Sequence, residues 1–355
     1  MHSTWSQNLL CAVICVMASG LSGAEMKITE SDAVQNGEKV KITRYTLPMV
    51  RDEISYSVTR KADGAVTWAA IGSTVCAHGR NGGWDRWCFF RLYEKGKYAQ
   101  LLTRIPAKVV YMPYQGGILA DFEWPLKGGA LKLRFLHTQA MQDWLFAKLQ
   151  FINLNASDYD FVFNSYAGTP YLKKGGERHG KTVSNDYLLQ NAFPITPEGN
   201  SFAYYNRADM EEFGNLLILE TDKIAKAGFH AAKGVYWEPK ADVKEILLGF
   251  SSFSNEPAST AVPRFLSEQA GTVFEALRKM DWNPRLDHSG FDALSASMKK
   301  LLAGASEAHK AEFEKIQKEY AEARSAENVS ACVSLFSRLQ KLNEQMSSRG
   351  LLQFQ

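Results

Sequence analysis

The sequence predicts a mainly β fold: a large antiparallel β-sandwich followed by a C-terminal α-helical region. Two observations carry this. From about residue 34 to 255 apolar and polar residues alternate with period two, in runs rich in β-branched and aromatic side chains. After that the apolar spacing becomes three and four. A third observation, the lack of helical spacing inside the β part, argues against βαβ units and a parallel sheet. The predicted organisation is a signal peptide at 1–24, a β-sandwich domain at 30–255 and a helical region at 262–348 that contains an antiparallel helix hairpin.

The strands follow in order. Lys39–Leu47, Glu53–Thr59 and Val66–Ile71 open the series. Trp87–Tyr93, Tyr98–Ile105, Gly117–Trp124 and Leu131–Leu136 continue it. Leu145–Leu154, Tyr159–Tyr166, Asp186–Ala192, Phe202–Asn206, Leu216–Thr221, Phe229–Trp237 and Glu245–Phe253 complete it. Turn clusters such as ADG, EKGK, KGG and NASD separate them. Many long strands with uneven loops suit two wide sheets better than a closed barrel.

At Asn255–Pro263 the pattern changes. Leu266, Ala270, Val273, Leu277 and Met280 mark one helix face. Phe291, Leu294, Met298, Leu301 and Leu302 mark a second, with Gly304 where a C′ glycine belongs. Phe313, Ile316, Tyr320 and Ala323 mark a third. The fourth runs through Val329, Cys332, Phe336, Leu339, Leu342 and Met346, with Ser325 as its expected N-cap. A short loop between the last two makes them antiparallel neighbours. Their polar faces, dense in Glu, Lys and Gln, read as solvated.

The first residues point to export. Leu9–Ala18 is an apolar run too short to span a bilayer, and Ser22 and Ala24 precede a cleavage position before Glu25. The n-region lacks Lys and Arg, so an uncleaved anchor is the alternative. No later run is long enough for a membrane span. A net charge of +3 is too small for nucleic acid to be the expected partner. With 45% hydrophobic residues, 8 tryptophans and 20 phenylalanines, the core carries the fold without a disulfide framework.

In an exported chain Cys76 and Cys88, on either side of a glycine loop, are expected to form a disulfide. Cys332 is then left as a thiol on an apolar helix face. The bracketed stretch, CAHGRNGGWDRWC, combines His78, Arg80, Trp84, Asp85, Arg86 and Trp87 with three glycines. Aromatic faces beside fixed hydrogen-bonding groups suit a sugar ring, which stacks by its C–H face while its hydroxyls pair. A staple across the loop would lower the entropy cost of binding. The alternative is a stapled turn whose rings pack inward. Trp84 is expected to face solvent, and Trp87, which begins a strand, to pack inward.

A second candidate is LHTQAMQDWLF at 136–146, where His137 and Asp143 lie in one connection beside Gln142 and Trp144. A His and a carboxylate share acid–base work only if a third group orients the ring, so a merely hydrogen-bonded histidine is the competing expectation. A third is YLKKGGERHGK at 171–181, where Lys173, Lys174, Arg178 and Lys181 could meet an anionic sugar, although such stretches are more often solvated loops. The chain has no HExxH, CxxC, GxSxG or strand-following GxGxxG, so no metal and no cofactor is expected. Asn155 and Asn328 head glycosylation sequons.

At the level of architecture alone, such an exported sandwich resembles sugar-processing supersandwich proteins. The expected function is therefore a carbohydrate-binding or carbohydrate-associated protein with a glycan or polysaccharide partner. The first alternative is a saccharide-acting lyase, hydrolase or epimerase, marked by paired carboxylates or a His/Tyr pair in one cleft. The second is an interaction protein that docks a protein partner through its C-terminal helices.

Overall fold

The computed structural model of the chain describes residues 26–75, 84–164, 172–174, 177–179, 193–194, 201–207, 210–230 and 234–352. It is mostly β, with three antiparallel sheets and a C-terminal helical region. The strands are β1 (Lys27–Gln35), β2 (Glu38–Pro48), β3 (Glu53–Lys61), β4 (Val66–Ser73), β5 (Phe90–Glu94), β6 (Lys108–Tyr114), β7 (Gly117–Leu126), β8 (Gly129–Thr138) and β9 (Leu145–Ile152). They continue with β10 (Tyr159–Phe163), β11 (Leu172–Lys174), β12 (Glu177–His179), β13 (Phe193–Pro194), β14 (Ser201–Arg207), β15 (Met210–Leu219), β16 (Ile224–His230), β17 (Gly234–Pro239) and β18 (Glu245–Ser254). The helices are α1 (Ala258–Glu268), α2 (Ala270–Lys279), α3 (Ser289–Leu301), α4 (Glu307–Ser325) and α5 (Val329–Leu352).

The first sheet is the meander β1-β2-β3-β4, the second has the order β16-β17-β10-β5, and the largest is β13-β14-β15-β18-β9-β8-β7-β6. β11 and β12 form a separate ribbon. Rings from all three sheets meet in one core. Phe89 packs on Phe135, Phe163 and Phe250 with centroids 6.1, 5.3 and 5.1 Å away. Phe90 lies 5.8 Å from Trp124, and Tyr56 lies 5.6 Å from Phe122. Offset and edge contacts of this kind add to the area that aromatic burial already removes from water.

The sequence reading departs from the structure in identifiable places. β1 went unread because it is exposed along most of both faces and so has no alternation. Its signal is the Asn36–Gly37 turn, with φ of 53° and 81° at the two positions, as a tight hairpin requires. β6 was also missed. Residues 98–105 are no strand but a loop with one 3-10 turn, Leu102–Arg104, anchored by the buried Leu102. The run Phe229–Trp237 is a hairpin of β16 and β17. The predicted strand Asp186–Ala192 lies outside the described residues.

The chain divides into two compact units, one built from Glu25–Val109 and Gly116–Trp282, the other from Val110–Gln115 and Asn283–Gln355. α1 and α2 belong to the first. The single helix expected over 266–280 breaks at Gln269, where φ is −125°. Phe265 of α1 stacks on Trp144 at 5.4 Å. After α2 the Trp282 carbonyl accepts from Arg134, whose guanidinium also donates twice to the buried Asp121, both at 2.7 Å.

The second unit buries Phe291, Met298, Phe313, Ile316, Tyr320, Leu335, Leu339 and Leu342 in its own core. The chain reverses after α4 through Glu327 at φ 51°. Arg338 of α5 then reaches back to Glu312 at 2.6 Å and Glu319 at 2.7 Å on α4. Ser325 is the last residue of α4 and caps nothing; Asn328 takes that role, its Oδ1 accepting from Ala331 N at 3.1 Å. Phe336 is only partly buried and Leu335 occupies the inner position. Cys332 is a buried thiol.

Candidate functional site

Of the opening stretch, Cys76, His78 and Arg80 lie outside the described residues, and the chain is described again from Trp84. From there it is stitched on both sides. Ser73 N donates to Asp85 O at 3.1 Å and Phe89 N to Ile71 O at 2.6 Å, both along β4. On the other side Asp85 N donates to Asn164 O, Asn164 N to Phe89 O, and Asn164 Nδ2 to Cys88 O. The Asp85 carboxylate folds the turn between these ties: its Oδ1 accepts from Trp87 N at 2.7 Å and Cys88 N at 2.9 Å. The fit is close enough that a Cβ on Gly72 would stand 1.8 Å from Arg86 O.

This local geometry reverses the expectation for the two tryptophans. Trp84 is 1% exposed, meets Phe250 edge-on at 5.1 Å and donates its Nε1 to Ser251 O at 3.2 Å. Trp87, at the tip of the Asp85 turn beside the exposed Arg86, is 71% exposed. Trp84 is therefore a core residue, and Trp87 presents its ring. Asp85 already accepts two backbone hydrogen bonds, so it positions Trp87.

The staple is corrected too. Cys88 is a buried free thiol, so the bond expected to Cys76 is not formed. Its Sγ donates to Gln100 Oε1 at 3.6 Å. Burial pushes the thiol pKa up, and the neighbouring Arg91 guanidinium offsets part of that rise.

Gln100 also bridges back to Tyr93, which ties the 95–101 loop against β5. That loop carries a second large exposed ring, Tyr98, at 69%. It was missed because YAQLLTRI reads equally well as a strand. β5 and β10 set Arg91 opposite Val162 and Tyr93 opposite Asp160, on the face away from Phe90, Leu92, Phe161 and Phe163. Asp160 and Glu238 are both buried there, and Glu238 accepts from Lys95 Nζ at 2.5 Å.

The second candidate lies in the same unit. His137 is fully buried, its Nε2 2.8 Å from Gln142 O and its Nδ1 without a partner among the described residues. Donation to that carbonyl makes Nε2 the protonated nitrogen of the neutral ring. Burial holds its pKa below the ordinary range. Asp143 is exposed and pairs with Arg51 at 2.6 Å, so the two residues share a connection without forming a dyad. Arg51 sits in the β2–β3 turn, just before Asp52 at φ 65°. Asp143 O accepts from Ser251 Oγ at 2.6 Å, and Ser251 O accepts from Trp84. Trp84 of the first candidate and Asp143 of the second are thus joined through Ser251 of β18.

Of the third candidate, Lys173 pairs with Arg178 in the β11–β12 ribbon, and Lys181 lies outside the described residues. The helical unit holds a His/Tyr pair: His288 Nδ1 is 2.7 Å from Tyr320 OH, and Tyr320 stacks on Phe291 at 3.4 Å. At the far end of β18 a shallow depression is lined by Asp222, Lys223, Lys240, Asp242, Lys244 and Glu245. Among the described residues no group of three or more His, Cys, Asp or Glu side chains is arranged to hold a metal, and no helix is long and apolar enough to cross a membrane. No protein-family model matches the chain, and no curated protein matches it.

Proposed function

We propose that the chain is an exported carbohydrate-binding protein, that its sheets pack as a sandwich, and that its ligand stacks on Trp87. One observation carries the reading: an indole 71% exposed on a backbone fixed from both sides. A ring presented this way keeps most of its face in water and stands on a backbone already held in place, so little ordering cost remains when a sugar face settles on it. Facing aromatic residues of the three sheets support the sandwich. Export rests on the apolar run Leu9–Ala18 ahead of Ser22 and Ala24, and an amino terminus at Glu25 in secreted protein would agree with it.

A glycan array on wild type and Trp87→Ala tests the reading. The variant should lose about 2 kcal/mol or more of binding, as removal of an aromatic anchor does, with an unchanged melt. Undiminished binding would refute it. A second reading, a saccharide-acting enzyme, draws on the buried carboxylates Asp160 and Glu238 beside Lys95. Turnover of a bound glycan that Asp160→Asn abolishes without weakening binding would favour it.

A further inference from the structure

We infer that Tyr98 is a second stacking platform and that the site takes an oligosaccharide rather than a single sugar. The inference rests on the reading of Trp87 as a sugar platform. Trp87 and Tyr98 are both large aromatic side chains held mostly in water, 71% and 69% exposed. They stand on segments that touch: Trp87 precedes Cys88, Tyr98 lies two residues before Gln100, and Cys88 Sγ meets Gln100 Oε1 at 3.6 Å. Chain reach from that contact keeps the two Cα atoms within about 20 Å. One pyranose covers one ring face, so two rings carried on two separate segments call for two sugar units, which a short oligosaccharide supplies.

The strip between them is suited to hydroxyls. Gln100 is half-buried, its Oε1 accepts from Cys88 Sγ and its amide nitrogen carries the donors, and the half-buried Arg91 guanidinium neighbours Cys88. The loop carrying Tyr98 is also held. Leu101 N donates to Leu92 O at 2.8 Å, Lys97 N to Glu94 O at 2.9 Å, and Gln100 bridges Tyr93. Like Trp87, Tyr98 is a large ring kept in water on a fixed backbone. Two platforms on one rigid support bind in succession with little further entropy cost, so affinity should climb with chain length until both are covered.

The test is calorimetry with cello-, chito- and malto-oligosaccharides of one to six sugars on wild type, Trp87→Ala, Tyr98→Ala and Tyr98→Phe. In the series that binds, wild-type affinity should rise with length. Tyr98→Ala should match wild type for the shortest ligands and fall about tenfold or more behind for the longest, while Tyr98→Phe, which keeps the ring, follows wild type. Trp87→Ala should weaken every length. A Tyr98→Ala ladder parallel to wild type overturns the second platform while leaving Trp87 standing. Unaltered binding by Trp87→Ala, or no wild-type binding to any of the three series, overturns the underlying reading and this inference with it. Melting curves confirm that each variant is folded.

Discussion

Replacing Trp84 by alanine separates a core residue from a ligand residue more sharply than any other change. The indole is 1% exposed, lies 5.5 Å from Phe89 and 5.1 Å from Phe250, and its Nε1 satisfies Ser251 O. Truncating a buried Trp to Ala typically costs about 3–5 kcal/mol. A buried carbonyl left without its donor pushes this site towards the upper end. That is a large share of the roughly 5–15 kcal/mol by which folded domains are stable. Tryptophan fluorescence during urea unfolding is the assay, because Asn283–Gln355 contains no tryptophan and the signal reports on the β-rich unit. The midpoint should fall with the slope unchanged. Trp84→Phe, which keeps a ring and loses the N–H, should cost about 1–3 kcal/mol. Trp87→Ala should stay within about 0.5 kcal/mol of wild type. A loss below about 1 kcal/mol for Trp84→Ala would refute the assignment of this ring to the core.

Gly72→Ala places a methyl 1.8 Å from Arg86 O, so the Trp84–Cys88 segment must leave β4; an unfolding midpoint close to wild type would contradict that contact. His137 has its pKa lowered by burial, against Asp52 and Asp143 that raise it and Arg51 that lowers it further. Its contribution is therefore complete above the unfolded value of about 6.5 and lost as pH falls through the folded value; urea melts across pH 5–8 should flatten in His137→Gln. In the helical unit Leu339→Ala should cost about 2–5 kcal/mol by far-UV circular dichroism, and Phe336→Ala less, since only Leu339 is fully buried. Cys88 and Cys332 are buried with raised pKa values, so both should react with thiol reagents only on unfolding; rapid labelling of either in native protein would contradict its burial.

What was legible in the sequence follows burial. β7 and β8 were read almost to their ends because Phe122, Trp124, Leu131, Leu133 and Phe135 alternate into one core. α4 and α5 were read because Phe313, Ile316, Tyr320, Leu339 and Leu342 keep helical spacing. β1 was illegible because a strand in water on both sides leaves no pattern, only a turn signal at its end. The break at Gln269 was hidden because Leu266, Ala270, Val273 and Leu277 stay in phase across it, so one stripe served for two helices. At the candidate site, His137 and Asp143 were singled out by type. Their true partners, the Gln142 carbonyl and Arg51, are contacts that no spacing rule specifies.

The two tryptophans show how far a local rule reaches. Treating 84–93 as running into a strand assigns inward and outward by parity, and parity fails wherever the chain turns. Asp85 makes it turn. A carboxylate that accepts from the backbone two and three residues on closes a tight loop whose intervening side chains must point away from the body. Asp85-Arg86-Trp87-Cys88 therefore holds enough information to place Arg86 and Trp87 outside, with Trp84 and Cys88 left to anchor either end. Both anchors are buried, one against Phe250 and the other against Gln100. The aspartate that composition marks as a sugar-hydroxyl acceptor is thus occupied in fixing the turn that carries Trp87.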